Sequence, residues 1–216
     1  MMRCTFLIVV VVGFPSGLGS APSPDGEWSF RAGPMRRIVA IRSGAIETRG
    51  FAAGDGEATA ARGPEFRISI GESPRVLSST DYRAEAAEKG TFRCAAPGAP
   101  GVTVAYVEDP AAGVVRKTLT VSNPGAARIL VRWVELESSS PGRAIAYAVD
   151  PRFPALGDWG QPVYAAPFFF GIEFPAARST ATAEGALQLR EYPGVWIEPG
   201  GSWTSHAAVA GCAASG

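Results

Sequence analysis

Apolar and polar residues alternate with a period of two along much of the chain, in short runs separated by Gly, Pro and Asp. Phe66-Arg67-Ile68-Ser69-Ile70 places Phe66, Ile68 and Ile70 on one face of an extended segment and Arg67 and Ser69 on the other. Residues 102–108 and 114–122 are two further runs, and the intervening Asp109-Pro110-Ala111-Ala112-Gly113 has turn chemistry, which predicts an antiparallel hairpin. Asn123-Pro124-Gly125 turns the chain again, so residues 127–137 are expected to complete a three-strand meander. Within that last run Ile129, Val131 and Trp133 share one parity while Val134 and Leu136 take the other, and a bulge near Trp133 reconciles them. Phe168-Phe169-Phe170-Gly171-Ile172-Glu173-Phe174 lacks polar alternation and reads as a central strand covered on both faces. Further strands are expected at 36–42, 45–50, 82–88, 92–95, 144–149, 186–192 and 202–209. No segment shows helical periodicity, and the whole predicts an all-β fold, a large antiparallel β-sandwich over residues 35–216 with a lead-in segment at 22–34.

Composition agrees with that reading, because 26 Gly and 18 Pro leave no room for long helices. Residues 1–21 have a different character. Met1-Met2-Arg3 precedes an apolar run from Cys4 to Phe14, and small residues at Gly19 and Ala21 close the segment. This is the pattern of a secretory signal peptide cleaved after Ala21, and the run is shorter than the roughly 20 residues of a membrane span. The chain is therefore expected to be exported to the periplasm or the extracellular space, with no membrane contact after cleavage. In such a compartment Cys94 and Cys212 are candidates for a disulfide, with two separately buried thiols as the alternative.

Charge and motifs exclude several function classes. Twenty basic and 20 acidic residues cancel, and the arginines are scattered among the strands, so no nucleic-acid partner is expected. The single histidine, His206, sits beside Ser205 on the expected 202–209 strand, and without a Gly-x-Ser-x-Gly elbow a hydrolase triad is not supported. One histidine and no Cys-x-x-Cys give no zinc or copper ligand set, and no phosphate-binding glycine motif occurs, so no metal or other cofactor is expected, calcium on carboxylates being the alternative left open. Lys117 falls among Val115, Leu119 and Val121, where an ammonium needs a partner or an escape to solvent, and snorkelling along its stem is the expected solution. Glu135 and Glu137 share a strand face at the spacing of an acid–base pair, but a solvated face explains them more simply.

The segment Leu156-Gly157-Asp158-Trp159-Gly160-Gln161-Pro162-Val163-Tyr164 carries the candidate chemistry. An indole face at Trp159 suits the apolar side of a sugar ring, and Asp158 and Gln161 beside it supply acceptors and donors for hydroxyls. The same residues also read as a turn whose tryptophan covers the edge of the sandwich.

Together with Arg116-Lys117-Thr118-Leu119-Thr120-Val121-Ser122-Asn123-Pro124-Gly125, Phe169-Phe170-Gly171-Ile172-Glu173-Phe174-Pro175 and Leu189-Arg190-Glu191-Tyr192-Pro193-Gly194, this segment resembles the N-terminal β-sandwich of secreted bacterial glycoside hydrolases of α-galactosidase type. The resemblance implies a galactose-mutarotase-like super-sandwich. In such enzymes the sandwich precedes a catalytic (β/α)8 barrel, and this chain ends about where that barrel would begin. The catalytic carboxylates therefore have no counterpart, and the resemblance implies a non-catalytic domain whose partners are a saccharide or a glycosidase catalytic domain. Two other readings stand beside it: a mutarotase- or epimerase-like sugar enzyme using His206, and a structural or adhesive exported module without a ligand.

Overall fold

The structure, a computed structural model, describes residues 25–139, 141, 146–147, 159–181 and 187–212. The strands in chain order are β1 (Gly26–Ala32), β2 (Met35–Arg42), β3 (Ala45–Ala53), β4 (Thr59–Ala60), β5 (Arg67–Ile70), β6 (Arg75–Ser78), β7 (Arg83–Glu88), β8 (Thr91–Ala95), β9 (Gly101–Asp109) and β10 (Val114–Ser122). They continue as β11 (Ile129–Glu137), β12 (Ala146–Tyr147), β13 (Val163–Ala165), β14 (Phe168–Ile172), β15 (Arg178–Ala181), β16 (Leu187–Glu191), β17 (Val195–Ile197), β18 (Ser202–Thr204) and β19 (Ala208–Cys212). Among the described residues the only helical element is a 3-10 turn at Ser79–Asp81, capped by the Ser78 side chain.

The fold is all-β. Its strands form a four-stranded sheet ordered β1-β2-β3-β4, a nine-stranded sheet ordered β12-β13-β14-β19-β10-β9-β8-β7 with β18 also on β10, and a six-stranded sheet ordered β15-β16-β11-β5-β6 with β17 also on β11. All pairs among the described residues are antiparallel. Inward residues of the nine- and six-stranded sheets make the sandwich core, with Phe92, Val104, Leu119 and Val121 from one and Ile68, Val134, Leu136 and Leu189 from the other. The four-stranded sheet closes onto this core through aromatic pairs. Phe30 stacks on Tyr106 at 4.8 Å, Trp28 meets Phe92 edge-on at 4.9 Å, and Phe51 meets Phe170 at 5.1 Å.

The 102–108 and 114–122 hairpin forms as β9–β10, in register from Val114 opposite Asp109 to Ser122 opposite Gly101. The meander does not. β11 lies in the six-stranded sheet, so the turn at Asn123 carries the chain across the sandwich rather than back alongside β10. Asn123 is built into that crossing: its amide nitrogen donates to the carbonyls of Ala127 and Ile197, and its oxygen accepts from Gly125 N–H. The bulge in β11 is present, with the register against β5 shifting between Val131 and Trp133. β14 is an interior strand as expected, although only Phe168 and Phe170 are fully buried and Phe169 is half-buried.

Three boundaries differ from expectation. The 22–34 lead-in contains β1, whose Phe30 and Ala32 are core residues, so the sheet starts at Gly26 rather than near residue 35. The 202–209 strand is two strands, interrupted at 205–207 where His206 lies. The 144–149 strand is described only at Ala146–Tyr147, and the signal segment 1–21 lies outside the described residues.

Cys94 and Cys212 are both free, which overturns the disulfide candidate. Cys94 is on β8 and Cys212 on β19, with β9 and β10 between them in the sheet. Three strand spacings of about 4.8 Å far exceed the Cα separation that a disulfide spans.

Candidate functional site

Trp159 is held at the rim of the six-stranded sheet by a bridge to Arg178 at the start of β15 and by Gly160 N–H donating to Ala177 O at 2.8 Å. Gly160 has φ +62°, and a Cβ there would lie 2.7 Å from Pro175 O, so this loop requires glycine. The indole is 43% exposed and leans on Tyr192, itself 40% exposed, with ring centres 5.8 Å apart and planes inclined by 48°. Gln161 follows, half-buried, while Asp158 lies outside the described residues.

Tyr192 was not anticipated from the sequence, yet its strand announces it. Leu187, Leu189 and Glu191 point inward along β16, so Gln188, Arg190 and Tyr192 point outward. Opposite them, β15 presents Arg178 and Thr180, because Arg178 pairs with Arg190 and Thr180 with Gln188. These five outward residues line a polar cleft of about 130 Å³ beside the Trp159–Tyr192 pair. Two exposed rings, tilted to one another, next to guanidinium, amide and hydroxyl groups offer what a sugar ring needs: an apolar face and several directional hydrogen-bond partners.

Burial of two carboxylates on β11 overturns its solvated-face reading. Glu135 and Glu137 are both buried. Glu135 is bridged by Arg67 at 2.7 Å and Arg190 at 2.5 Å. Arg190 also stacks on Trp133, its guanidinium carbon 4.2 Å from the ring centre. Glu137 belongs to a second cluster. It accepts from Arg37 at 2.6 Å and from Ser139 at 2.6 Å, while Arg37 also bonds Thr48 and, at 2.9 Å, Glu65.

Lys117 completes that cluster and does not snorkel: its side chain is fully buried and its ammonium meets the Glu65 carboxylate, which also accepts from Tyr106 and Thr48. Arg37 and Thr48 come from the four-stranded sheet, Tyr106 and Lys117 from the nine-stranded sheet, and Glu137 from the six-stranded sheet, with Glu65 just before β5. Burial pushes the Glu65 carboxyl up, but the Lys117 and Arg37 cations outweigh it and hold it down at about 2. Burial and the Glu65 charge together raise the Tyr106 phenol well above its ordinary range. With two cations against two carboxylates and no route to solvent, this cluster fastens the three sheets together and is not placed to meet a substrate.

His206 is half-exposed and tightly oriented. Its Nδ1 lies 2.8 Å from Glu191 Oε1, its main-chain N–H donates to Glu191 Oε2 at 3.0 Å, and its ring stacks on Phe174 at 4.2 Å with planes 2° apart. Glu191 is buried and adjoins Tyr192, so the carboxylate that fixes the imidazole is on the opposite face of β16 from the aromatic platform. Among the described residues no group of three or more His, Cys, Asp or Glu is arranged to hold a metal ion.

With this geometry in hand, comparison with known proteins defines the class of fold. No family model matches the sequence and no curated protein matches it. Solved structures do. The GH36 α-galactosidase AgaB of Geobacillus stearothermophilus superposes with a TM-score of 0.53 at 11% identity, over 87% of this chain and 40% of that one. The AgaA enzyme of the same organism gives 0.52 at 12% identity, over 87% and 40%. The α-galactosidase of Lactobacillus brevis gives 0.52 at 9% identity, over 88% and 40%. The fold is that of the N-terminal β-sandwich region of GH36 α-galactosidases. The chain spans about two fifths of the length of those structures.

Proposed function

We propose that this chain is a non-catalytic, carbohydrate-associated β-sandwich of an exported glycoside hydrolase system, acting as an accessory domain that engages saccharide. The observation that carries the reading is the Trp159–Tyr192 pair, two exposed rings set beside the cleft of Arg178, Thr180, Gln188 and Arg190. Support at the level of fold comes from the superposition on α-galactosidase sandwiches. The partners in this reading are a saccharide and a glycosidase catalytic domain, and the Trp159 loop with Gln161 borders the sugar. The test is calorimetric titration of the chain with galactose-containing oligosaccharides, comparing wild type with Trp159→Ala. Saturable binding that Trp159→Ala abolishes without altering the thermal midpoint supports the reading. No binding by wild type to any saccharide of the panel contradicts it.

One observation favours a second reading, a mutarotase-like sugar enzyme: the His206 ring is oriented by a buried carboxylate, as a general base requires. Polarimetry of galactose anomerisation decides it. Acceleration lost in His206→Ala supports the enzyme, and no acceleration by wild type removes it.

A further inference from the structure

The cleft beside Trp159 is one end of a longer feature. A second depression, of about 560 Å³, shares Tyr192 with it and adds Ser69, Arg132 and Trp133. A third, also of about 560 Å³, shares Leu130 with the second and adds Arg128, Trp196 and Glu72. The three therefore form one track over the outer face of the six-stranded sheet, from β15–β16 across β11 to β5 and β17. Rings recur along it, Trp159 with Tyr192, then Trp133, then Trp196, and the last two each carry a stacked guanidinium, Arg190 at 4.2 Å and Arg128 at 4.3 Å.

Two further observations indicate what lies on this track. The hydroxyl of Ser69, a residue only 1% exposed, has no protein hydrogen-bond partner, and neither does Arg190 Nε. Buried polar atoms are nearly always satisfied; Ser69 lines the second depression and Arg190 the first, but both atoms are covered as the side chains stand, so each becomes a donor to a bound molecule only when the groups over it shift. The charge is also one-sided. Arg178, Arg190, Arg132 and Arg128 line the three depressions, Glu72 is the one acidic lining residue among those described, and Glu135 is already held between Arg67 and Arg190. A chain that is neutral overall thus presents guanidinium groups along a face that also carries the exposed rings of Trp159, Tyr192 and Trp196.

We infer that this face binds an extended anionic saccharide, a chain of carboxylate-bearing hexoses with one ring on the Trp159–Tyr192 pair and its carboxylates on Arg128 and Arg132, beside Trp133 and Trp196. The inference rests on the saccharide reading of the Trp159–Tyr192 platform and adds to it the ligand's charge and length. Guanidinium groups pair carboxylates bidentately, and the hydroxyl and amide groups of Ser69, Thr180 and Gln188 suit sugar hydroxyls. Single-stranded nucleic acid also uses rings and arginines, but its phosphate density calls for a more strongly basic groove than this one.

The experiment titrates the chain with a short oligogalacturonate and with its fully methyl-esterified form, which has the same backbone without charge. The expected result is at least about tenfold tighter binding of the acid, weakening as salt rises, with the Arg128→Gln/Arg132→Gln double variant losing about that preference while keeping its thermal midpoint, because both arginines are surface groups. Equal binding of acid and ester, in wild type, overturns the anionic inference and leaves the saccharide reading standing. Binding of neither overturns both. Unchanged acid preference in the double variant, or tighter binding of an oligothymidylate than of the oligogalacturonate, overturns the track as drawn.

Discussion

Lys117 donates to Glu65 twice, to the carboxylate and, at 2.5 Å, to the main-chain carbonyl oxygen, although both residues are sealed from solvent. The contact ties an interior strand of the nine-stranded sheet to the residue from which the chain enters the six-stranded sheet, and Arg37 brings in the third sheet through the same carboxylate. Removing the ammonium leaves a buried carboxylate with less compensation than its desolvation demands. Lys117→Met is therefore expected to lose about 3–5 kcal/mol in urea unfolding, whereas Lys117→Met combined with Glu65→Gln loses less than the two single changes added together. Strict additivity of the two would contradict the coupling.

Acid should undo the same cluster. The Glu65 carboxyl is lowered from an ordinary value of 4.5 to about 2, because Lys117 and Arg37 outweigh the upward push of burial. A lowered folded-state value means that the stabilisation is complete above about 4.5 and is lost as pH falls toward about 2. Urea midpoints measured across that window should decline in wild type and decline less in Glu65→Gln. Equal declines in the two proteins would assign acid sensitivity to other groups.

Thiol chemistry gives an independent check on the sheet order. Burial pushes the Cys94 thiol up to about 12 and raises that of Cys212 as well, so both stay protonated near neutrality. Unreduced protein unfolded in guanidinium should release two thiols to a colorimetric reagent from the chain beyond Ala21, and native protein should react slowly at Cys94. Absence of titratable thiol after unfolding would mean that the two cysteines are joined, in conflict with their separation across β9 and β10.

Gly160 fixes the aromatic platform. Because its φ is +62° and a Cβ would press on Pro175 O, Gly160→Ala should cost about 1–2 kcal/mol for the left-handed backbone, with the contact adding to it. The loop carrying Trp159 is expected to shift and saccharide binding to weaken. Gly54→Ala is the reference, being also at positive φ with nothing within 4 Å of its Cβ but outside the track, unlike Gly194, which lines the second depression. Equal effects on binding from Gly160→Ala and Gly54→Ala would show that the loop geometry does not matter.

The sequence was most informative where structure is local. Period-two runs located β2, β3, β5 and the β9–β10 hairpin, and the parity break at Trp133 marked a real bulge, because pleating alone forces side chains to alternate. What failed was non-local. The turn at Asn123 looks the same whether the next strand pairs with β10 or crosses the sandwich, and the difference lies in Asn123 reaching Ile197, 74 positions away. Lys117 and Glu137 were read as solvent-seeking because their partners, Glu65 and Arg37, stand 52 and 100 positions from them, where no spacing rule reaches. Trp159 was legible as an exposed ring in a glycine-flanked loop. Tyr192, Arg190 and Ser69 alternate visibly on their strands, but only the pairing of β15, β16, β11 and β5 brings them beside it.

Five tryptophans make the central claim directly observable, since each indole N–H gives its own proton–nitrogen correlation. Trp133, Trp159 and Trp196 belong to the proposed saccharide face, whereas Trp28 packs on Phe92 and Trp203 lies on β18 of the nine-stranded sheet. The measurement is that spectrum during titration with an oligosaccharide, with the five signals assigned by single substitution. The expected result is a saturable shift of the Trp159 signal, joined by Trp133 and Trp196 when the ligand is an oligogalacturonate, while Trp28 and Trp203 stay in place. A spectrum in which no indole moves, or in which Trp28 and Trp203 move and Trp159 does not, would contradict a saccharide site on this face.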